Sequence, residues 1–196
     1  MGTSKKMVEA FRRFDEANAE DPNKEFFGEK EHPKELLYAQ RMTDILNTFE
    51  PKASEALQLT VRCQHICRWE IPRESYEMNR VGYLKWRQKL KKFHAQKASS
   101  ILKTVGYDDE IIDRVVFLLL KKQLKKDKET QTLEDVICLV FLKYYYDSFL
   151  EKHDDVKMIP IIQKTWKKMS PKGHQAALSL PYSQRGLELV TRALSN

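Results

Sequence analysis

The sequence predicts an all-α protein. Three observations carry that expectation. Apolar residues recur at helical spacing along most of the chain, six glycines in 196 residues leave little turn chemistry, and neither a hairpin signal nor a strand-like alternation stands out. Met7, Ala10, Phe11, Phe14 and Ala17 predict a first helix from Ser4 to about Asn18. Asp21-Pro22-Asn23 stops it, because the residue before proline avoids the helical region. Residues 24–31, polar and containing Gly28, predict a loop. Pro33 suits the first turn of a second helix running to about Phe49, with Leu36, Leu37, Met42, Ile45 and Leu46 inside. Pro51 breaks it, and Ser54 caps a third helix expected to reach about Trp69. An irregular stretch over 73–82 leads into a long helix from about Tyr83 to Val105, closed by Gly106.

Asp108 opens the next helix, whose inner face is Ile111, Ile112, Val115, Val116, Leu119 and Leu120. Lys121 to Glu129 is polar and densely charged. Residues 133–142 are apolar all round apart from Glu134 and Asp135, the pattern of a helix surrounded by protein. Further helices are expected at about 156–169 and 183–194, with Ser170-Pro171 opening a turn between them. The expected organisation is a single all-helical domain over residues 1–196 with about eight or nine helices. Its core would lie within about 32–150, with the N-terminal helix 4–20 and the C-terminal helices 153–195 packed on it.

Composition narrows the function classes. Lys and Arg number 35 against 28 Asp and Glu, a formal charge of +7, so anionic partners are favoured. Lysine and arginine crowd residues 85–97, 121–128 and 164–172, which makes RNA a candidate partner. No apolar run reaches the roughly 18 residues a spanning helix needs, and the N-terminus does not resemble a secretory signal. Three cysteines without a paired framework fit reduced thiols and a cytoplasmic location. No glycine-rich phosphate loop occurs.

The candidate chemistry lies in a few residues. On a third helix reaching Trp69, Arg62, His65 and Trp69 would share one face, which suits a metal ligand or a phosphate contact beside a guanidinium. Cys63 and Cys67 would share another face, without the further ligands a zinc site needs. Glu134 and Asp135 read either as hard ligands on a buried helix or as first-turn acids of a Thr132-x-x-Asp135 helix start. His94 sits on the long helix among apolar residues. Lys168-Met169-Ser170-Pro171-Lys172 is similar to the K-M-S-K-S loop of class I aminoacyl-tRNA synthetases, but the parallel sheet that loop works on is absent from the expected elements.

Taken together, Phe14 to Asn23, Glu35 to Ala39, Arg62 to Trp69 with Pro72-Arg73, Gly82 to Arg87, Phe93 to Ala95, Gln131 to Leu142 and Lys164 to Ser170 resemble an uncharacterised family of small bacterial and fungal proteins, a domain of unknown function. Some of its members carry a glutamyl-tRNA synthetase label. A more distant resemblance is to the HD-domain metal-dependent phosphohydrolases. It places His32 at their first histidine, His65 at the histidine of the His-Asp pair and Asp135 at the closing aspartate, with Ile66 standing where the paired aspartate should be. That resemblance implies an HD-like helical fold and hydrolysis of a nucleotide or other phosphoester at a divalent ion (Mn, Fe, Co, Ni or Mg). The ligands would be His65, His94, Asp135 and Glu35. Glu134 would serve as proton acceptor with Arg62 as catalytic partner, and Arg62, Arg68, Arg73, Trp69, Lys121 and Lys122 would hold the phosphorylated substrate. The alternative is a non-catalytic basic module for RNA or another anionic partner.

Overall fold

A computed structural model describes residues 4–195. Helices dominate it. α1 (Lys5–Ala19) starts where Ser4 accepts a hydrogen bond from the Met7 N–H. A two-stranded antiparallel hairpin follows, β1 (Lys24–Phe27) and β2 (Lys30–Pro33), with Lys24 opposite Pro33 and Phe27 opposite Lys30. The hairpin replaces the loop expected over 24–31. Gly28 takes φ +62°, which a tight connection requires. Both strands are mostly exposed, so no buried face writes an alternation into the sequence.

α2 (Lys34–Phe49) and α3 (Glu55–Cys63) come next, then α4 (Arg80–Val105) and α5 (Asp109–Leu119). Ser54, Asn79 and Asp108 cap the last three with side-chain oxygens, and Gly106 closes α4 in the left-handed region. α3 ends well short of Trp69. Cys67 adopts φ +51°, and its N–H donates to Asn18 Oδ1 at 3.0 Å. A left-handed residue cannot continue a right-handed helix, so Arg62, His65 and Trp69 do not share one helical face.

α6 (Lys128–Val140) passes through a wider turn at Phe141–Tyr145 into α7 (Tyr146–Leu150); α8 (Asp155–Lys168), α9 (Pro171–Leu178) and α10 (Gln184–Leu194) complete the chain. Asp127 caps α6 by accepting from the Thr130 N–H. The helix thus begins earlier than Thr132, and Glu134 and Asp135 fall in its buried middle instead of its first turn. Among the described residues, no helix is long and apolar enough to cross a membrane.

Contacts divide the chain into two compact units. The first runs to Asn47 and includes Pro51–Lys122; the second takes Thr48–Glu50 and continues from Gln123. In the first, α1, α3, α4 and α5 pack through Ala10, Phe14, Leu59, Cys63, Ala98, Leu102 and Val115, all fully enclosed. In the second, α10 packs on α8 and α7, while α6 packs on α9 and α8. Tyr146 is buried there and donates its hydroxyl to the Gly186 carbonyl at 3.1 Å. The α6–α9 approach is so close that a Cβ on Gly173 would lie 2.6 Å from Asp135 Oδ1. Asp135 cannot withdraw, because Ser170 holds both of its oxygens.

Gly173→Ala therefore overpacks this contact and should destabilise the chain by about 1–3 kcal/mol. Urea unfolding checks it; a variant as stable as the parent would show that Asp135 is free to move.

Candidate functional site

In the first unit, the start of α2, the turn after α3 and the middle of α4 bring Glu35, His65, Arg68, Trp86 and His94 together. Asp21 fixes the entry to α2: its Oδ2 accepts from the Glu35 N–H at 3.0 Å, while its Oδ1 accepts from Asn23. Glu35 is thereby set at the first turn of the helix with its side chain buried. The Cys67 turn carries His65 and Arg68 off the end of α3 and over this carboxyl.

The distances are short. His65 Nδ1 lies 3.3 Å from Glu35 Oε2, though outside hydrogen-bonding geometry, and Arg68 Nη1 lies 3.9 Å from Glu35 Oε1. His65 stacks on Tyr38 with ring centres 4.2 Å apart, and its centre is 5.9 Å from that of His94. Tyr38 in turn donates to Gln64 Oε1 at 3.2 Å. His94 is buried on α4, with Nδ1 2.8 Å from the Ile66 carbonyl. His65 Nδ1 and His94 Nε2 are enclosed and have no hydrogen-bond partner.

Charge follows from burial. Desolvation pushes the Glu35 carboxyl above its ordinary value, against the pull of Arg68, Lys34 and His94. Although 22% of the His65 side chain stays accessible, enough protein surrounds the ring to hold its pKa well below the usual histidine range. Arg68, Lys121, Arg87 and Lys34 add to that effect. Burial, then His65, brings His94 down to about 3. Both imidazoles are thus neutral near pH 7, inside a field of four cations and one carboxyl.

The three candidate arginines divide sharply. Arg62, with only 12% of its side chain accessible, makes a two-point ion pair with Asp15 at 2.7 and 2.6 Å and also donates to Thr43. Arg73 donates to the carbonyls of Tyr76, Glu77 and Asn79. Both hold the fold. Arg68 instead lies over the Trp86 ring at 5.0 Å, keeps 31% of its side chain accessible, and makes no side-chain hydrogen bond among the described residues. Trp86 is buried and anchored through its Nε1–H to the Ile71 carbonyl at 2.9 Å, so it serves as a platform for the guanidinium. Trp69 packs against the core of the unit.

The remaining candidates lie elsewhere. His32 sits on β2 opposite Glu25. Lys121 belongs to the first unit and acts on His65 through its charge; Lys122 lies 5.9 Å above the Phe117 ring. Asp135, 2% accessible, belongs to the second unit, where it accepts from the Ser170 N–H and hydroxyl at 2.7 and 2.6 Å and from Gln131. It holds the start of α9. Glu134 is buried there too, 3.8 Å from Lys168 Nζ. Lys125 donates to the Lys167 carbonyl and Lys172 to Glu50, so several of the second unit's lysines already have protein partners.

The four implied metal ligands do not form a centre. Among the described residues, no three His, Cys, Asp or Glu side chains are placed to hold a metal ion. The cations around His65 make the pocket poor for a dication and good for an anion. Spacing alone did not point to Lys34, Tyr38 or Arg87 as members of the site. Lys34 beside Glu35 at a helix start was a usable signal; Tyr38 and Arg87 carry none.

Stability should follow the imidazoles. The unfolded chain takes up a proton at His94 near its ordinary 6.5, whereas the folded chain refuses it down to about 3. Stability owed to neutral His94 is therefore present above pH 6.5 and lost as pH falls toward 3. Glu35 works the opposite way, since its raised pKa favours folding at low pH. Between pH 7 and pH 5, His94→Gln should lose about 1–2 kcal/mol less stability than the parent, measured by urea unfolding at both values. Equal losses would show that His94 is already charged when folded.

No curated protein and no solved structure matches the chain. A family model matches residues 8–190, and the chain belongs to that family, described as Domain of unknown function (DUF4202).

Proposed function

We propose that this chain binds and hydrolyses a small phosphorylated molecule at the Glu35–His65–Arg68 pocket. The observation that carries the reading is Arg68. A guanidinium held by stacking on Trp86, accessible and without hydrogen bonds of its own, presents its N–H fork to an incoming oxyanion. Lys34, Arg87 and Lys121 add a positive field that draws a phosphoryl dianion and resists a neutral ligand.

The chemistry available beside Arg68 is acid–base chemistry. His65 is neutral and partly accessible, and a bound phosphoryl dianion would offset the cations that disfavour its protonated form, so it can take a proton from a water attacking phosphorus. Glu35, 3.3 Å from Nδ1, then faces the imidazolium and stabilises it. The water oxygen bonds to phosphorus, the ester P–O bond breaks, and the departing oxygen receives, through solvent, the proton that His65 took, giving the free alcohol and returning the imidazole to its neutral form. The products are inorganic phosphate and that alcohol. No metal-bound step is assigned, because the donor set does not converge.

The test is isothermal titration with inorganic phosphate and a panel of phosphomonoesters, followed by phosphate release with and without added manganese, cobalt or nickel. Arg68→Ala should weaken phosphate binding at least tenfold and lower kcat/KM about a hundredfold. Arg68→Lys should restore little, since an ammonium lacks the planar fork. Arg62→Lys, altering an arginine already paired with Asp15, should leave phosphate affinity unchanged in whatever fraction folds. Phosphate affinity indifferent to Arg68 would overturn the proposal; binding without turnover under any condition would reduce the site to a receptor.

A further inference from the structure

We infer that the molecule bound here carries a hydroxyl, or another neutral hydrogen-bond donor, beside its phosphoryl group, and that His94 accepts from it. The inference rests on the phosphoryl-binding reading above and narrows it to phosphomonoesters of polyols, sugars or nucleosides.

The argument starts from the tautomer. The Ile66 carbonyl can only accept, so the His94 nitrogen 2.8 Å from it must carry the proton. That fixes Nε2 as a lone pair. It is enclosed, on a residue only 4% accessible, and no donor among the described residues meets it. An enclosed acceptor left unmet is costly, and a group entering with the ligand would recover that cost.

The surroundings say what that group is. The charges or dipoles of His65, Glu35 and Arg68 act on His94, the His65 ring centre lies 5.9 Å from its own, and the Phe93 ring meets it edge-on at 5.7 Å between centres. A cationic donor would enter against Arg68 and the lysines. An anion belongs at the Arg68 fork, not against a lone pair. A neutral O–H satisfies Nε2 without adding charge. The two binding groups must therefore lie close together in one small ligand, because Arg68 and His65 both touch Glu35 and the two imidazole centres are 5.9 Å apart.

Glycerol 3-phosphate and n-propyl phosphate separate the possibilities, since they match in length and differ in hydroxyls. Titrated into the full chain, glycerol 3-phosphate should bind about tenfold tighter, the effect of one buried hydrogen bond. In His94→Phe that ratio should fall to about one while inorganic phosphate binds as before. Should the variant fail to fold, nitrogen NMR of the parent decides. The unprotonated His94 Nε2 signal should shift with glycerol 3-phosphate and stay in place with n-propyl phosphate. Equal affinities, or no nitrogen shift, would overturn the inference while leaving phosphate binding intact. Failure of inorganic phosphate itself to bind would sink the reading beneath it, and the inference with it.

Discussion

One hydrogen bond sets the geometry of the pocket. The Cys67 N–H donates to Asn18 Oδ1 at 3.0 Å, and it does so from a left-handed backbone that a cysteine adopts only under constraint. Asn18 is buried at the end of α1, so α1 holds the turn that ends α3. Had α3 continued, its helical periodicity would carry His65 and Arg68 away from Glu35. The strained turn instead lays both over that carboxyl, and the Ile66 carbonyl released by the turn fixes the tautomer of His94. One backbone outlier thus positions several titratable groups at once.

The groups so gathered are poorly satisfied, which is their most informative property. Among the described residues, two enclosed imidazole nitrogens lack hydrogen-bond partners, and the Arg68 guanidinium, 3.9 Å from Glu35, makes no hydrogen bond. Some other buried polar groups of the first unit are closely satisfied. Arg62 meets Asp15 in a two-point pair, and Thr60 donates its hydroxyl to the Ala56 carbonyl at 2.7 Å. Two orphaned nitrogens beside an accessible guanidinium support the proposed ligand as their missing partner.

Most helices were legible in the sequence because they have an apolar stripe and a capping side chain. Ser54, Asp108 and Gly106 mark boundaries that the structure keeps. The hairpin was not legible, because strands exposed on both faces leave no alternation. The end of α3 was not legible either: Cys67 has no sequence signature for a left-handed residue, and the Asn18 that holds it lies 49 positions away. The site was half legible. His65, His94, Glu35 and Arg68 stood out as chemistry-bearing types, but no spacing rule distinguishes the free Arg68 from Arg62, whose partner Asp15 is likewise distant in sequence.

Glu134 and Asp135 show the converse. Acids in an apolar helix suggested ligands, yet each has a partner within its own unit. Asp135 accepts three hydrogen bonds, two of them from Ser170, and Glu134 lies within ion-pair distance of Lys168. A carboxylate so engaged would have to give up charge-assisted hydrogen bonds before it could hold anything else. What remains in the first unit is one carboxyl against Arg68, Lys34, Arg87 and Lys121. A divalent cation placed there would meet the repulsion of these cations, whereas a phosphoryl dianion would be drawn to them. That balance of charge supports what the Arg68 fork offers, and the two together are why this pocket is proposed as a receptor for phosphate.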